Sequence, residues 1–296
     1  MIIQDPDGDY IVRATAYQGA VRALACRTTD TCREAVRLHG LSPVATAAFG
    51  RLMSGILMLA QDLKHPDDSI TAIIRSSGPL AGMTVIADGR ATVRGLVNVP
   101  SAETTYLRPG KIDVGSAVGE GTLTVMRDLG LKEPYVGTVR LVSGEIAEDL
   151  TYYLAVSEQI PSAVSLGVRM DRQGVLQAGG LLVQLMPDAS DEIAEHLEKR
   201  VAGFPEISYL MEEGFNPHQL LDLLLGDPDI QYLGVMPCAY ECHCNRERMR
   251  RNLAALGRQE LLDLVADPAG VNIECHFCNK HYHFDQADVT ELLAEN

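Results

Sequence analysis

Hydrophobic and polar positions alternate from Tyr10 to Cys26 around Gln18-Gly19, with Ile11, Arg13 and Thr15 on one face and Val12, Ala14 and Ala16 on the other. A period of two broken by a Gly-containing turn predicts a β-hairpin. Thr28-Thr29-Asp30 then offers helix N-caps, and Gly40 follows His39 as a stop. Ser42 and Pro43 open a second helix, expected to run to about Lys64, with Ala45, Ala48, Ser54 and Gly55 forming a small-residue side suited to close packing. Three strand-like runs come next, Ser69 to Arg75, Ala81 to Ala87 and Ala91 to Val99, the last two separated by the hairpin signal Asp88-Gly89. Gly121 to Arg127 and Tyr135 to Val142 predict two more strands. Ile146, Leu150, Tyr153 and Leu154 at helical spacing predict a helix within Gly144 to Gln159. Ser165 to Met170 and Val175 to Met186 close the strand-rich part.

From Ser190 the pattern changes to short amphipathic helices cut by breakers: Asp191 to Val201, Pro205 to Glu213 and Pro217 to Leu225, ended near Gly203, Gly214 and Gly226. Helices of about ten residues are marginal alone and depend on docking. Asn245 to Leu256, Arg258 to Val265 and Asp288 to Leu293 predict three more helices. The order predicts an α+β protein. Residues 1–187 form an N-terminal domain with a mainly antiparallel sheet and packed helices, 188–233 a helical linker, and 234–296 a small C-terminal metal domain.

Composition narrows the function classes. The net charge of −15 argues against non-specific attraction to nucleic acid or an anionic membrane. Met1 to Tyr10 carries three aspartates and no basic residue, unlike a secretory or transit leader. The longest apolar run, Leu52 to Ala60, is shorter than the ~20 residues that span a bilayer. These features predict a cytoplasmic protein, in which its seven cysteines serve as thiols, catalytic groups or metal ligands.

Four of those cysteines form two tight pairs, Cys242-His243-Cys244 and Cys275-His276-Phe277-Cys278, with thirty residues between them. Each pair can aim both sulfurs at one point, and two pairs can close a tetrahedron around Zn²⁺. Iron is the runner-up metal. The bland alternative, four unconnected buried thiols, does not explain the spacing. His243, His276, His281 and His283 lie close enough to replace a cysteine as ligand, but more often such histidines are exposed or shape the surroundings. Cys238 reads as a spare thiol, and Cys26 and Cys32 as ordinary core or surface thiols. Arg246, Arg248, Arg250 and Arg251 form a basic cluster after Cys244. Nucleic-acid binding, as in zinc ribbons, is one reading; offsetting the −2 charge of a zinc tetrathiolate is the better one.

A thioredoxin-type reading of Cys275-x-x-Cys278 requires a βαβ context, whereas Val271–Glu274 and Lys280–Phe284 read as a hairpin around a metal knuckle. There is no P-loop, no G-x-S-x-G elbow and no complete G-x-G-x-x-G; Gly119-Glu120-Gly121 is most simply a turn. No Ser, His and Asp set suggests catalysis, so an enzyme is not expected.

The tetrad, the helical linker and the strand-rich first part together resemble the heat shock protein 33 family of redox-regulated chaperones. Three further stretches carry the similarity: Arg27-Thr28-Thr29-Asp30, Asp149 to Leu154 through Ser157-Glu158-Gln159, and Gly179 to Pro187. The resemblance implies an ATP-independent holdase, inactive while Cys242, Cys244, Cys275 and Cys278 bind zinc. It implies that oxidants form the disulfides Cys242–Cys244 and Cys275–Cys278 and release zinc, so that the C-terminal part unfolds. The protein, commonly a homodimer when activated, then binds unfolded or oxidatively damaged clients. Cys26, Cys32 and Cys238 lie outside the family pattern. Loss of the metal is expected to undock the linker and expose apolar faces that include Ile193, Leu197, Ile207, Leu210, Leu220, Leu221 and Leu224. Because a C-x-C pair must bend to bring its Cα atoms to disulfide distance, Cys275–Cys278 is expected to oxidise more readily.

Overall fold

In the computed structural model, which describes residues 6–104, 106–108 and 111–295, the chain divides into two compact units between Glu241 and Cys242. The first begins with the expected hairpin. Strands β1 (Tyr10–Ala16) and β2 (Val21–Arg27) pair antiparallel, with Ala16 opposite Val21. Tyr17, Gln18 and Gly19 all take positive φ in the turn, a geometry in which glycine is unstrained. Helix α1 (Thr29–His39) stops at Gly40, whose φ of 60° is left-handed. Helix α2 (Pro43–Leu59) starts where the Ser42 hydroxyl accepts from the Ala45 amide at 3.3 Å. Its small residues have the expected use: a Cβ on Gly55 would collide with Leu150.

Strands β3 (Ser69–Ser76), β4 (Met83–Asp88) and β5 (Thr92–Val97) lead to a short ribbon, β6 (Tyr106–Arg108) with β7 (Lys111–Ile112). Helix α3 (Val114–Val118), strands β8 (Gly121–Asp128) and β9 (Tyr135–Arg140), and helix α4 (Ala147–Val156) follow. Asp149 of α4 is fully buried and accepts from the amides of Val142, Ser143, Gly144 and Ile146 at 2.7–3.4 Å, so one carboxylate fixes the preceding loop. Next come β10 (Ser162–Asp171) and β11 (Gly174–Leu185), then three linker helices, α5 (Asp191–Ala202), α6 (Ile207–Glu212) and α7 (Pro217–Leu225). Strands β12 (Gln231–Pro237) and β13 (Ala239–Tyr240) end the unit.

Two sheets result, in the orders β10-β11-β2-β1-β12 and β13-β5-β4-β3-β8-β9, antiparallel except where β13 runs parallel to β5. The mixed α+β, mainly antiparallel architecture is the one expected. Helix α2 packs against strands of both sheets, and its apolar side chains join Ile11, Leu24, Ile70 and Val85 in the main core. The segment Pro43–Asp62 is long and apolar enough to cross a membrane, yet 89% of an 18-residue stretch within it is buried inside the fold, which marks a core helix. On the other face of the five-stranded sheet, Tyr10, Val12, Ala14 and Val183 pack beneath Leu197, Leu210, Leu220 and Leu224 of the linker helices.

Residues 231–240 depart from the sequence reading, which divides them between linker and metal domain. They are instead extended strands paired to β1 and β5. An edge strand is read by one neighbour only, and here those neighbours stand far back in the chain, beyond any local periodicity.

The second unit contains α8 (Arg246–Ala254), α9 (Arg258–Val265), the hairpin β14 (Val271–Glu274) and β15 (His281–Phe284), and α10 (Gln286–Glu295). Its core consists of Met249, Leu253, Leu261, Phe284, Val289 and Leu292.

Candidate metal centre

Cys242 and Cys244 lie just before α8, whose N-terminus is set by Asn245; its side chain accepts from the Arg248 amide at 2.8 Å. Cys275 and Cys278 lie in the turn between β14 and β15. There the Cys275 carbonyl accepts from the amides of Cys278 (3.1 Å) and Asn279 (2.7 Å), and the Cys275 amide donates to Lys280 O at 2.9 Å. This is the knuckle expected from the hairpin flanks. It aims two sulfurs to one side, and the folded-back α8–α9 segment brings the other two to meet them.

The structure places all four predicted residues together. Their sulfurs lie within 4.8 Å of one another, with Cys242 Sγ 3.7 Å from Cys275 Sγ and Cys244 Sγ 3.2 Å from Cys278 Sγ. Four thiolates about 2.3 Å from a central ion would stand about 3.8 Å apart, so the donor set fits a tetrahedral ion. All seven cysteines are free thiols. Among the described residues no histidine nitrogen joins the cluster; His283 Nδ1 instead meets Asn272 Oδ1 at 2.9 Å.

One contributor was missed by sequence reasoning. The Tyr282 hydroxyl donates to Cys244 Sγ at 3.1 Å. Burial, the largest influence on Cys244, opposes ionisation, but hydrogen bonds from Tyr282 and the neighbouring thiols outweigh it and lower that thiol. Burial pushes the Cys278 thiol up to about 11, and Cys242 is also raised, again chiefly by burial. Four sulfurs gathered this closely would repel one another as thiolates, and a bound cation offsets the like charges it brings together.

Two of the four arginines after Cys244 have acidic partners. Arg246 donates to Asp288 at 2.6 Å and to the His283 carbonyl, and its guanidinium lies 4.4 Å from the centre of the Phe284 ring. Arg250 is 3.9 Å from Glu291. Asp288 and Glu291 of α10 thus pair with two of the four arginines. The remaining cysteines are buried and hard to ionise. Burial pushes the Cys32 thiol up to about 12 and raises Cys26 and Cys238 further. Such thiols react slowly with oxidants.

Comparison with known proteins agrees over almost the whole chain. Residues 9–285 match the model of the Hsp33 protein family. A 33 kDa chaperonin of Ruminiclostridium cellulolyticum is 47% identical over 98% of this chain and 99% of its own length. One from Acetivibrio thermocellus is 46% identical over 96% and 97%. The crystal structure of the 33 kDa chaperonin (heat shock protein 33 homolog) from Thermotoga maritima superposes with a TM-score of 0.88 at 37% identity, covering 97% of this chain and 98% of that one. These relatives are named as chaperonins, not as enzymes. The chain belongs to the Hsp33 family of chaperones.

Proposed function

We propose that this chain is an ATP-independent holdase held inactive by Zn²⁺ on Cys242, Cys244, Cys275 and Cys278 and switched on by oxidation of those cysteines. The observation that carries the proposal is the convergence of four sulfurs in a unit whose own apolar core is small. A domain below about 60 residues buries too little to be robust alone. A structural zinc ion supplies on the order of 10–16 kcal/mol of folding free energy to such modules when bound.

Metal-held thiolates are deprotonated, the form that peroxides attack. Within each pair, two thiolates and two protons reduce one peroxide to two waters and close one disulfide, Cys242–Cys244 or Cys275–Cys278. Sulfurs so joined no longer offer four anionic donors, and the unit from Cys242 onward loses its main support. The linker helices have 12, 6 and 9 residues, too short to persist undocked. Their departure uncovers the sheet face of Tyr10, Val12, Ala14, Val21, Leu181 and Val183, an apolar surface of the kind that captures unfolding or oxidatively damaged proteins. The net charge of −15 keeps a client-loaded complex, in its activated homodimeric form, soluble and disfavours nucleic acid and anionic membranes as partners.

The test is to measure zinc content and suppression of client aggregation in reduced protein, after peroxide, and after reduction with zinc restored. The expected cycle is one zinc and no activity, then zinc loss with activity, then reversal. Reduced protein without tightly held zinc, or activity destroyed by oxidation, would overturn the proposal.

A further inference from the structure

We infer that the outer edge of β1, covered here by β12, is a docking site for an extended segment of an unfolding polypeptide, and that β12 is its internal stand-in. The inference rests on the holdase reading above and adds a place and a mode of recognition.

Strand β12 runs antiparallel along β1 from Thr15 opposite Gln231 to Tyr10 opposite Pro237, with an irregularity at Leu233. The two strands are anchored in different ways. Tyr10, Ile11, Val12, Ala14 and Ala16 of β1 are buried, whereas no residue of β12 is, and Leu233 is 58% exposed. Strand β12 is held by main-chain hydrogen bonds, each worth about 1 kcal/mol net, and by side chains tied to the linker: Tyr232 and Val235 pack on its cluster, and the Tyr232 hydroxyl donates to Asp222 and to the His218 carbonyl of α7. Beyond it, β13 contributes a two-residue parallel pairing with β5, and the Glu241 amide donates to Val93 O at 2.9 Å. The next residue is Cys242. The β12 half of the strap from 231 to 241 thus depends on the linker staying docked, while the Tyr240 hydroxyl, which donates to Gly95 O at 3.0 Å, ties its far end to β5; the strap continues directly into the first of the four sulfurs.

With β2 on its other side, β1 would present one open edge once the strap left. An open edge is a row of unpaired amides and carbonyls that accepts another strand. Main-chain pairing does not read sequence, which suits a holdase. The side chains of β12 indicate what is favoured: Val235 lies opposite Val12 and Tyr232 opposite Ala14, packing on the linker side, while Met236 opposite Ile11 packs towards the main core. The fitting ligand is a stretch of about six residues, apolar on both faces and β-forming, such as a core strand exposed when its protein unfolds.

The strap carries its own reporter. Cys238 is 8% exposed, and its amide donates to Asp9 O at 3.0 Å. After oxidation of the tetrad, Cys26, Cys32 and Cys238 are the remaining thiols. The experiment alkylates full-length reduced and oxidised protein with iodoacetamide. It then follows hydrogen exchange of the oxidised protein with and without thermally unfolded citrate synthase. Expected results are alkylation of Cys238 after oxidation only, with Cys26 and Cys32 resistant in both states. The alternate amides among 11–15 that point to β12 rather than β2 should exchange at least ~10-fold faster on oxidation and slow again with client bound, while those of 232–236 stay fast. An oxidised protein that suppresses aggregation with Cys238 unreactive, or whose β1 amides do not slow with client, overturns the docking site and leaves the holdase reading standing. An oxidised protein that suppresses no aggregation overturns both.

Discussion

Replacing Leu221 by alanine tests whether the linker helices are the cover of the client surface. Leu221 is fully buried on α7, between the equally buried Leu220 and Leu225. The helix is well fixed. Asn216 and Gln219 close its N-terminus reciprocally at 2.8 and 3.0 Å, and Arg200 donates to the carbonyls of Leu224 and Leu223 at 2.5 and 2.6 Å. The Tyr17 hydroxyl donates to the Leu225 carbonyl. Truncating a fully buried leucine costs about 2.7–5 kcal/mol. A loss of ~3 kcal/mol multiplies the undocked population about 150-fold. The main core lies on the other face of the sheet and does not include Leu221, so the cost falls on the linker. Reduced, zinc-loaded Leu221→Ala protein should therefore suppress client aggregation measurably where the parent does not, with zinc content unchanged and faster exchange over residues 191–225. Leu223→Ala, at a position 40% exposed on the same helix, should stay inert. Faster exchange of the linker by about 100-fold without any gain of holdase activity would refute the reasoning, because the cover would have lifted from a surface that clients ignore.

Three further outcomes are expected. Tyr282→Phe removes the hydrogen bond to Cys244 Sγ; a bond to a charged acceptor is worth about 1.5–3 kcal/mol, so zinc affinity in a chelator competition should fall ~10- to 100-fold, and an unchanged affinity would remove Tyr282 from the site. Asp149→Ala leaves the amides of Val142, Ser143, Gly144 and Ile146 without their acceptor; at ~1–3 kcal/mol for a buried group left unpaired, the first unit should lose at least ~3 kcal/mol in a denaturant titration, and a loss under ~1 kcal/mol would contradict that role. In partly oxidised protein, mass mapping should find Cys275–Cys278 closed before Cys242–Cys244; the C-x-C disulfide accumulating alone would show that Cα geometry does not set the order.

What could be read from the sequence was local. The paired cysteines, the hairpin turn at Gln18-Gly19 and the Ser42-Pro43 helix start each depend on residues within a few positions of one another, and each appears where expected. Tyr282 is not legible from residue type, because His281 and His283 on either side are the commoner metal ligands. Strand parity contained the signal: Tyr282 and Phe284 share a face of β15, and Phe284 is buried while His281 and His283 are exposed. The pairing of β12 with β1 had no such local sign. Its partner residues are separated by most of the chain, and Gly234 and Pro237 interrupt the alternation that would mark a strand.

The three apolar clusters differ in what they can survive, and that difference makes a reversible switch physically reasonable. The core around α2 contains many fully buried side chains, including Phe49, Leu52, Met53, Ile56 and Leu57, packed against two sheets. The cluster on the opposite face of the five-stranded sheet draws its outer half from helices that need the sheet in order to exist. The cluster in the C-terminal unit has six buried residues and the sulfur centre beside it in sequence. A perturbation at the sulfurs should therefore remove the third cluster first and the outer half of the second next. The first should persist, because apart from Cys238 on the strap its buried members lie outside the linker and the C-terminal unit. A scaffold that survives activation offers both a stable surface for a client and a template on which linker and strap can fold back after reduction. Were the apolar weight distributed the other way, the oxidation proposed above would be expected to unfold the whole chain and yield another aggregating protein.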